Sequence, residues 1–163
     1  PLDDFGIPNR TSVGVFEIAI GEGLRVKGIQ IAVTGVSKIE VTADTLASAT
    51  GSGAVAVFST PRLVLLMEEA AMDALRPYME EDETSVGTLV DVRHLAATPA
   101  GLTVIATARL LAIDGRRLVF HVEAHDDVEK VGEGTHERFL VSKTKFYLRS
   151  LEKSTRRNIS SVE

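Results

Sequence analysis

TPRLVLLMEEAAMDALRPYM, residues 60–79, predicts one long helix around which the rest of the chain must be organised. Thr60 is expected as the N-cap, with Pro61 at the first helical position, where its missing N–H costs nothing. At about 100° per residue, one broad face is apolar. Its members are Leu63, Val64, Met67, Ala70, Ala71, Ala74 and Leu75, and Leu65, Leu66 and Met72 widen it on both flanks. Such a helix must be buried on most sides.

Glu68 is the unusual residue of this helix. It lies about 90° from the centre of the apolar face, whereas its neighbour Glu69 falls in a narrow polar wedge. Burying an ionised carboxylate without partners costs several kcal/mol, so Glu68 either has a partner or is held in its neutral form. The simpler interpretation, a carboxylate at the helix edge that reaches water or pairs with an arginine, stays open.

Composition describes an ordinary globular protein and excludes several classes of function. The 163 residues carry a net charge of -5, which argues against nucleic-acid binding and gives no sign of binding to an anionic membrane. The chain has no Cys, which is compatible with a cytoplasmic location and removes thiolate chemistry. Its four His do not form a ligand-spaced cluster, so no metal is expected. No apolar run approaches the ~18 residues of a membrane span.

The pattern around the central helix predicts a single α+β domain over residues 1–163. Strand-like segments occupy residues 13–20, 24–36, 85–98, 102–113, 117–125 and 135–148, with a short helix at 41–53, a flexible lead-in at 1–12 and a polar tail at 149–163. Asp114-Gly115 marks a tight hairpin. We therefore expect a long central helix wrapped by a curved antiparallel sheet. The surplus apolar surface of the helix predicts a homodimer or a higher oligomer.

His94 is placed on the helix-facing side of the strand at residues 85–98. Strict alternation puts it on the same face as Val86, Thr88, Val90, Val92 and Ala96. A histidine on an apolar face is usually a satisfied core residue. Thr60, Glu68 and His94 nevertheless form a possible nucleophile, base and orienting set, and the helix N-terminus adds backbone donors suited to a polarised carbonyl oxygen.

Three segments carry a resemblance to a known family: TPRLVLLMEEAAMDALRPYM, SVGTLVDVRHLAATPAGLTV and DGRRLVFHVEAHDDVEKVGEGTHERFLV. They resemble hot-dog-fold thioesterases of the fluoroacetyl-CoA thioesterase type over about residues 41–146. The resemblance implies the hot-dog fold, a long helix wrapped by an antiparallel sheet and paired into a dimer. It also implies five functional residues, which fall on Thr60, Glu68, Gly87, His94 and Arg138.

The activity that the resemblance implies is hydrolysis of an acyl-CoA thioester, with CoA as part of the substrate and no other cofactor. Glu68 would be the nucleophile or the base towards water, and His94 the general acid/base. Thr60 would orient the carboxylate or the thioester, while backbone donors near Gly87 or the helix start hold the oxyanion. Arg138 would bind CoA phosphate or pair with a carboxylate. The other histidines, His121, His125 and His136, are expected to be structural or solvated.

The acyl specificity is expected to depart from that of the family. The stretch before the catalytic Thr reads ATGSGAVAVFST, with Gly51 and Ala54 where bulky lid residues would be expected and only Phe58 nearby. This predicts a site that is not specific for fluoroacetyl-CoA. Two other functions are compatible with the sequence: a non-catalytic acyl-CoA or lipid-binding module, and an enoyl-CoA hydratase or dehydratase. The second would use Asp91 with His94, but alternation puts them on opposite faces.

Overall fold

The computed structural model describes residues 33–159, with side chains as far as residue 153. The predicted lead-in at 1–12, the strand at 13–20 and residues 24–32 of the strand predicted at 24–36 lie outside this range. The single domain over 1–163 therefore stays a prediction for the chain as a whole. None of the helices in the described part is long and apolar enough to cross a membrane.

Within residues 33–159, five antiparallel strands form one sheet, and the longest buried helix lies against it. The strands are β1 (Thr34–Glu40), β2 (Glu83–His94), β3 (Thr103–Asp114), β4 (Arg117–His125) and β5 (Lys130–Ser142). The helices are α1 (Ala47–Thr50), α2 (Thr60–Leu75) and α3 (Lys143–Ile159), with single 3-10 turns at Ala43–Thr45 and Arg76–Tyr78. The spatial order is β1-β3-β4-β5-β2, which leaves β1 and β2 at the two edges. The predicted α+β class is confirmed.

The N-cap of helix α2 lies one residue earlier in the chain than the sequence predicted. Ser59 holds the extended N-cap conformation, with φ -82° and ψ 144°, and Thr60 is already helical. The prediction of Thr60 as N-cap is therefore wrong by one position, because its hydroxyl bonds to a strand residue instead of to the helix backbone. At the other end Pro77 cannot continue an α-helix, and the chain tightens into the 3-10 turn.

The predicted apolar face of α2 is the core of the protein. Leu63, Leu66, Met67, Ala70, Ala71, Ala74 and Leu75 are all buried, and they pack with the inward residues of β3 and β4. Gly35 shows how closely β1 crosses this helix, since a Cβ there would lie 2.2 Å from the carbonyl oxygen of Ala70. Only the outer flank stays uncovered: Leu65 and Met72 are exposed.

A bulge in β2 changes which residues face the helix. Gly87 pairs with Arg138 and Leu89 with Glu137, so Thr88 is the extra residue. Each bulge reverses the alternation of a strand. The prediction that Val86 and Thr88 share the face of His94 is therefore wrong. Ser85 and Gly87 take that face, and Val90, Val92 and His94 share it after the bulge, with Val90 45% exposed at the edge of the sheet.

The last predicted strand is too long, because the chain turns helical after Ser142. Ser142 caps α3 by accepting a hydrogen bond from the backbone N–H of Lys145 at 3.2 Å, and Asp82 accepts one from the N–H of Thr144 at 3.1 Å. The segment from 143 to 148, predicted as strand, therefore belongs to this helix. The predicted polar tail at 149–163 begins within α3, whose side chains at 149–153 are exposed.

The short helix predicted at 41–53 is broken into a 3-10 turn and the single turn of α1, which ends at Gly51 with φ 74°. The prediction for β4 has the bounds found in the structure, and that for β3 is displaced by one residue. A tight hairpin joins them, but its two turn residues are Gly115 and Arg116 and not the predicted Asp114-Gly115, because Asp114 still pairs with Arg117. Gly115 has φ 57°, which suits the first position of such a turn.

Candidate active site

Thr60 and His94 meet where α2 begins and β2 ends. The Thr60 Oγ1 and His94 Nδ1 atoms are 2.9 Å apart, a hydrogen bond between a residue in the first helical turn and the last residue of the strand. Thr60 is exposed and His94 is half-buried. We call these two residues the hydroxyl–imidazole pair.

The electrostatics of His94 favour a neutral ring. Burial lowers its pKa from the ordinary value of 6.5, and a backbone interaction with Ala96 opposes this only in part. The buried Nε2 atom has no hydrogen-bond partner among the described residues. A neutral imidazole carries one proton, so the Nε2–H tautomer accepts the Thr60 proton and the Nδ1–H tautomer donates to Thr60. The pair is thus suited to move a proton at Thr60 Oγ1.

A groove of about 340 Å³ with a mixed polar and apolar lining opens beside the hydroxyl–imidazole pair. Besides the pair itself it is lined by Ala47, Ser52, Val57, Phe58, Leu95, Ala96 and Ala97. Phe58 is only 1% exposed and belongs to the core, while Gly51 and Ala54 are exposed. The segment before Thr60 therefore contributes Phe58 to the buried wall of the groove, while its exposed positions 51 and 54 carry small residues.

Glu68 belongs to a second group, under the middle of α2. Its Oε1 atom lies 3.5 Å from Nη1 of Arg138 and 3.8 Å from Nε2 of His136. About a third of the Glu68 side chain, 33%, is exposed, so its other face is open. The carboxylate thus has the ionic partner that its position in the helix called for. We call Glu68, Ser85, His136 and Arg138 the carboxylate cluster.

Arg138 is the buried cation of this cluster. It is 4% exposed, and its Nε donates to Ser85 Oγ at 2.7 Å while Nη2 donates to the Ser85 carbonyl at 2.8 Å. Burial lowers its pKa, and Glu68 opposes that shift. Of its two predicted roles, pairing with a carboxylate is present in the structure. Its burial disfavours contact with CoA phosphate, since the guanidinium lies inside the protein.

His136 and Ser85 are the members that sequence reasoning missed. His136 is 1% exposed, with Nδ1 2.8 Å from the Leu89 carbonyl and Nε2 3.0 Å from Arg138 Nη1, so it is not solvated. Burial is the main cause that lowers its pKa. The available signal was the spacing in GTHERF, which puts residues 136 and 138 on one face of a strand. Ser85 carried no such signal, because only the bulge fixes its face.

Gly87 leaves room for the carboxylate. A Cβ at this position would lie 2.6 Å from Glu68 Oε1 and 3.2 Å from His136 Cε1, closer than such atoms approach without displacement. The resemblance brought Gly87 into the site as a substrate-binding residue, and that role stays a prediction. The structure supplies a steric reason for the absence of a side chain.

The two groups are separated along one helix. Thr60 and Glu68 are eight residues apart, which is about 12 Å along the axis of α2. Each group is joined by its own hydrogen bonds and ion pairs, the first to the end of β2 and the second to the middle of β2 and β5. Within one chain the structure therefore brings together Thr60 with His94, and Glu68 with Arg138 and Gly87, as two separate groups.

Comparisons with known proteins agree with this arrangement. The model of the fluoroacetyl-CoA-specific thioesterase family matches residues 41–144. A curated fluoroacetyl-CoA thioesterase from Streptantibioticus cattleyicolor is 48% identical over 98 residues, which is 60% of this chain and 70% of that protein.

Solved structures give the same answer at the level of the fold. A structure of the fluoroacetyl-CoA thioesterase FlK superposes with a TM-score of 0.72 at 37% identity, covering 78% of this chain and 98% of that one. A thioesterase superfamily member from Thermus thermophilus has a TM-score of 0.70 at 27% identity, covering 83% and 98%.

Fold and site together define a thioesterase of the hot-dog class, as the sequence predicted. More narrowly, the chain belongs to the fluoroacetyl-CoA-specific thioesterase family. The resemblance found in the sequence and the predicted class of enzyme are both confirmed. The individual roles of Thr60, Glu68, Gly87, His94 and Arg138 stay predictions.

Proposed function

We propose that the protein hydrolyses the thioester of an acyl-CoA to the free acid and CoA. The observation that carries this proposal is the 2.9 Å hydrogen bond between Thr60 and His94 beside an open groove. A neutral proton acceptor, a hydroxyl and the positive end of α2 converge there. This combination suits attack on a carbonyl carbon, where negative charge develops on oxygen.

In the reaction, water adds to the thioester carbon and gives up a proton, and the C–S bond then breaks as the departing thiolate takes up a proton. Glu68 acts as the base towards water, or as a nucleophile whose acyl anhydride is then opened by water. His94 transfers a proton to the leaving sulfur or from the attacking water through the Thr60 hydroxyl that its Nδ1 contacts, and Thr60 also orients the reacting groups. CoA enters as part of the substrate, and these groups supply the proton transfers without another cofactor.

The two separate groups support a two-chain active site. Glu68 cannot reach Thr60 of its own helix across about 12 Å, so in this proposal a second copy supplies the missing half. Glu68 lies in a stripe with Leu65 and Met72, which are 40% and 47% exposed, and Val90 on the edge strand β2 is 45% exposed. A partly open carboxylate ringed by exposed apolar side chains and a free strand edge favours a covering surface. We propose a homodimer, alone or within a higher oligomer.

Mixed oligomers test this composite site. Glu68→Ala and His94→Ala are each expected to abolish most activity, whereas a co-expressed mixture regains it, because each mixed dimer holds one intact site. For random pairing of two chains, the recovered activity should be about a quarter of the parent's. Recovery contradicts a site within one chain. No recovery in a mixture shown by mass spectrometry to contain mixed dimers would reject the composite site.

The groove supports an acyl group larger than fluoroacetyl. Its 340 Å³ fall within the range of small-ligand pockets, and six of its nine lining residues have apolar side chains. Each methylene that packs against them contributes about 0.8 kcal/mol to binding, so kcat/KM should increase with chain length until the groove is filled. The absence of Cys supports a cytoplasmic location for this reaction.

A panel of acyl-CoAs tests activity and acyl group together. We expect thiol release from acyl groups of intermediate length or with branches to exceed release from acetyl-CoA and fluoroacetyl-CoA. Ala97→Leu narrows the groove and should shift the preference towards shorter chains, while Ala100→Leu, in the neighbouring turn outside the groove, should not. A parent protein that prefers fluoroacetyl-CoA would overturn the proposed specificity, and one that cleaves no acyl-CoA would overturn the function.

A further inference from the structure

We propose that His136 is a positioning residue, which fixes the Arg138 guanidinium against Glu68 through one neutral tautomer. The inference rests on the proposed function only in giving Glu68 a part in catalysis. The hydrogen bonds of the carboxylate cluster carry the rest. His136 is 1% exposed and does not line the groove beside Thr60, so its effect must pass through Arg138.

The tautomer of His136 follows from its two neighbours. The Leu89 carbonyl accepts hydrogen bonds only, so Nδ1 must carry the proton that it receives. Arg138 donates only, so Nε2 must be the unprotonated acceptor. A protonated ring would direct an N–H at the cationic guanidinium. Burial and the charge of Arg138 both lower the pKa of His136 and keep the ring neutral, against the opposing effects of Leu89 and Glu68.

With His136 as acceptor, Arg138 is held at three points. Ser85 Oγ accepts from Nε, the Ser85 carbonyl accepts from Nη2, and His136 accepts from Nη1. A guanidinium is planar, so these bonds fix its plane and the direction of the remaining Nη1 proton. That nitrogen is the one 3.5 Å from Glu68 Oε1. The carboxylate is thus located by the cluster, not by its helix alone.

Among the described residues, few charged groups face His136. Arg138 faces it from its own strand β5 and Glu68 faces it from α2, while β2 contributes the Leu89 carbonyl. Loss of the Nε2 acceptor frees Arg138 Nη1 to turn and leaves a buried donor unpaired. The catalytic carboxylate then loses its fixed position, and displacements of about 1 Å can cost a hundredfold in rate.

Two variants separate this role from a structural one. In His136→Gln, the side-chain oxygen can replace Nε2 as acceptor for Arg138, while His136→Asn can keep the donor to Leu89 but cannot reach Arg138 with its oxygen. We expect Asn to lower kcat by about 10- to 100-fold with KM changed less than about threefold, and Gln to retain most of kcat. Thermal unfolding measured on both variants checks that they are folded.

Nitrogen NMR provides a readout that does not need turnover. In the parent, the His136 ring should show a protonated Nδ1 and a bare Nε2, and should remain neutral below pH 6.5, and the Arg138 Nε–H should exchange slowly. The Nε–H signal should persist in the Gln variant and broaden or disappear in the Asn variant.

Equal activity in parent, Gln and Asn variants would overturn the proposal, as would equal losses in both that follow their loss of stability. A protonated or Nε2–H ring in the parent would overturn it as well. If the parent cleaves no acyl-CoA, the proposed function fails, but the NMR signatures still decide whether His136 fixes Arg138.

Discussion

The hydroxyl–imidazole pair and the carboxylate cluster differ in how they are built. The hydroxyl–imidazole pair is a single hydrogen bond between neutral groups near the surface, at the junction of a helix start and a strand end. The carboxylate cluster is a network around the buried cation Arg138, which Ser85 and His136 hold against the partly exposed carboxylate of Glu68. The pair is therefore sensitive to local geometry, whereas the cluster depends on burial and on complete hydrogen bonding.

The largest effect should come from the cluster's carboxylate. Glu68→Gln keeps the shape of the side chain but removes its charge and basicity, so kcat should fall by about a thousandfold. Glu69→Gln is the matched control, because Glu69 is exposed on the same helix and bonds to Ser37 instead. Steady-state kinetics on the preferred acyl-CoA measures both. Retention of more than about a tenth of the activity in Glu68→Gln contradicts the assigned role.

The hydroxyl–imidazole pair should come next. Thr60→Val is nearly isosteric but has no hydroxyl to bond to His94, and we expect a loss of about a hundredfold in kcat. Thr60→Ser keeps the hydroxyl and should retain most of the activity. The comparison of these two variants isolates the hydrogen bond from the bulk of the side chain. Similar rates for Val and Ser would show that the hydroxyl is not needed.

A smaller loss of activity is expected when a new side chain crowds the carboxylate cluster but removes no charge. In Gly87→Ala, the new Cβ would press on Glu68 Oε1 from 2.6 Å, and the carboxylate must shift away from Arg138. We expect kcat to fall about tenfold, with little change in KM. Gly53→Ala is the control, since its Cβ would meet Ala47 at an ordinary 3.6 Å. Unchanged kcat in Gly87→Ala would mean that the carboxylate position is not critical.

The smallest expected effect is on the pH dependence of the melting temperature. Burial lowers the pKa of His94 and of His136 below 6.5 in the folded protein, so the unfolded chain binds more protons between the folded and unfolded values. Stability from these groups is full above pH 6.5 and is lost as the pH falls through their folded values. The melting temperature should therefore decrease from pH 7.5 to pH 5.5, above the range where carboxylates titrate.

The variant His136→Gln separates the two histidines in this measurement. It removes one of the two rings whose pKa is lowered by burial. The melting temperature of this variant should therefore depend less on pH than that of the parent over the same interval. A parent whose melting temperature is flat from pH 7.5 to pH 5.5 would contradict the lowered pKa values of both rings.

Much of the fold could be predicted because its signals are local. Pro61 and the apolar periodicity indicate the helix start and its buried face, and the hairpin at Gly115 needs only its own turn residues. The strand after residue 135 was extended too far because Ser142 caps a helix with the help of Asp82, some 60 positions earlier. Contacts of that separation leave no periodic signal in either segment.

For the site, the sequence by itself determined the chemical inventory: a hydroxyl at the helix start, a carboxylate two turns on and histidines on the strands. Only the tertiary structure decided the partners. The bulge at Thr88 turned Ser85 and Gly87 inward, which made room for Glu68 and gave Arg138 its acceptors. The physical reason is that alternation along a strand is a local rule, while a bulge and a buried ion pair are settled by what packs across from them.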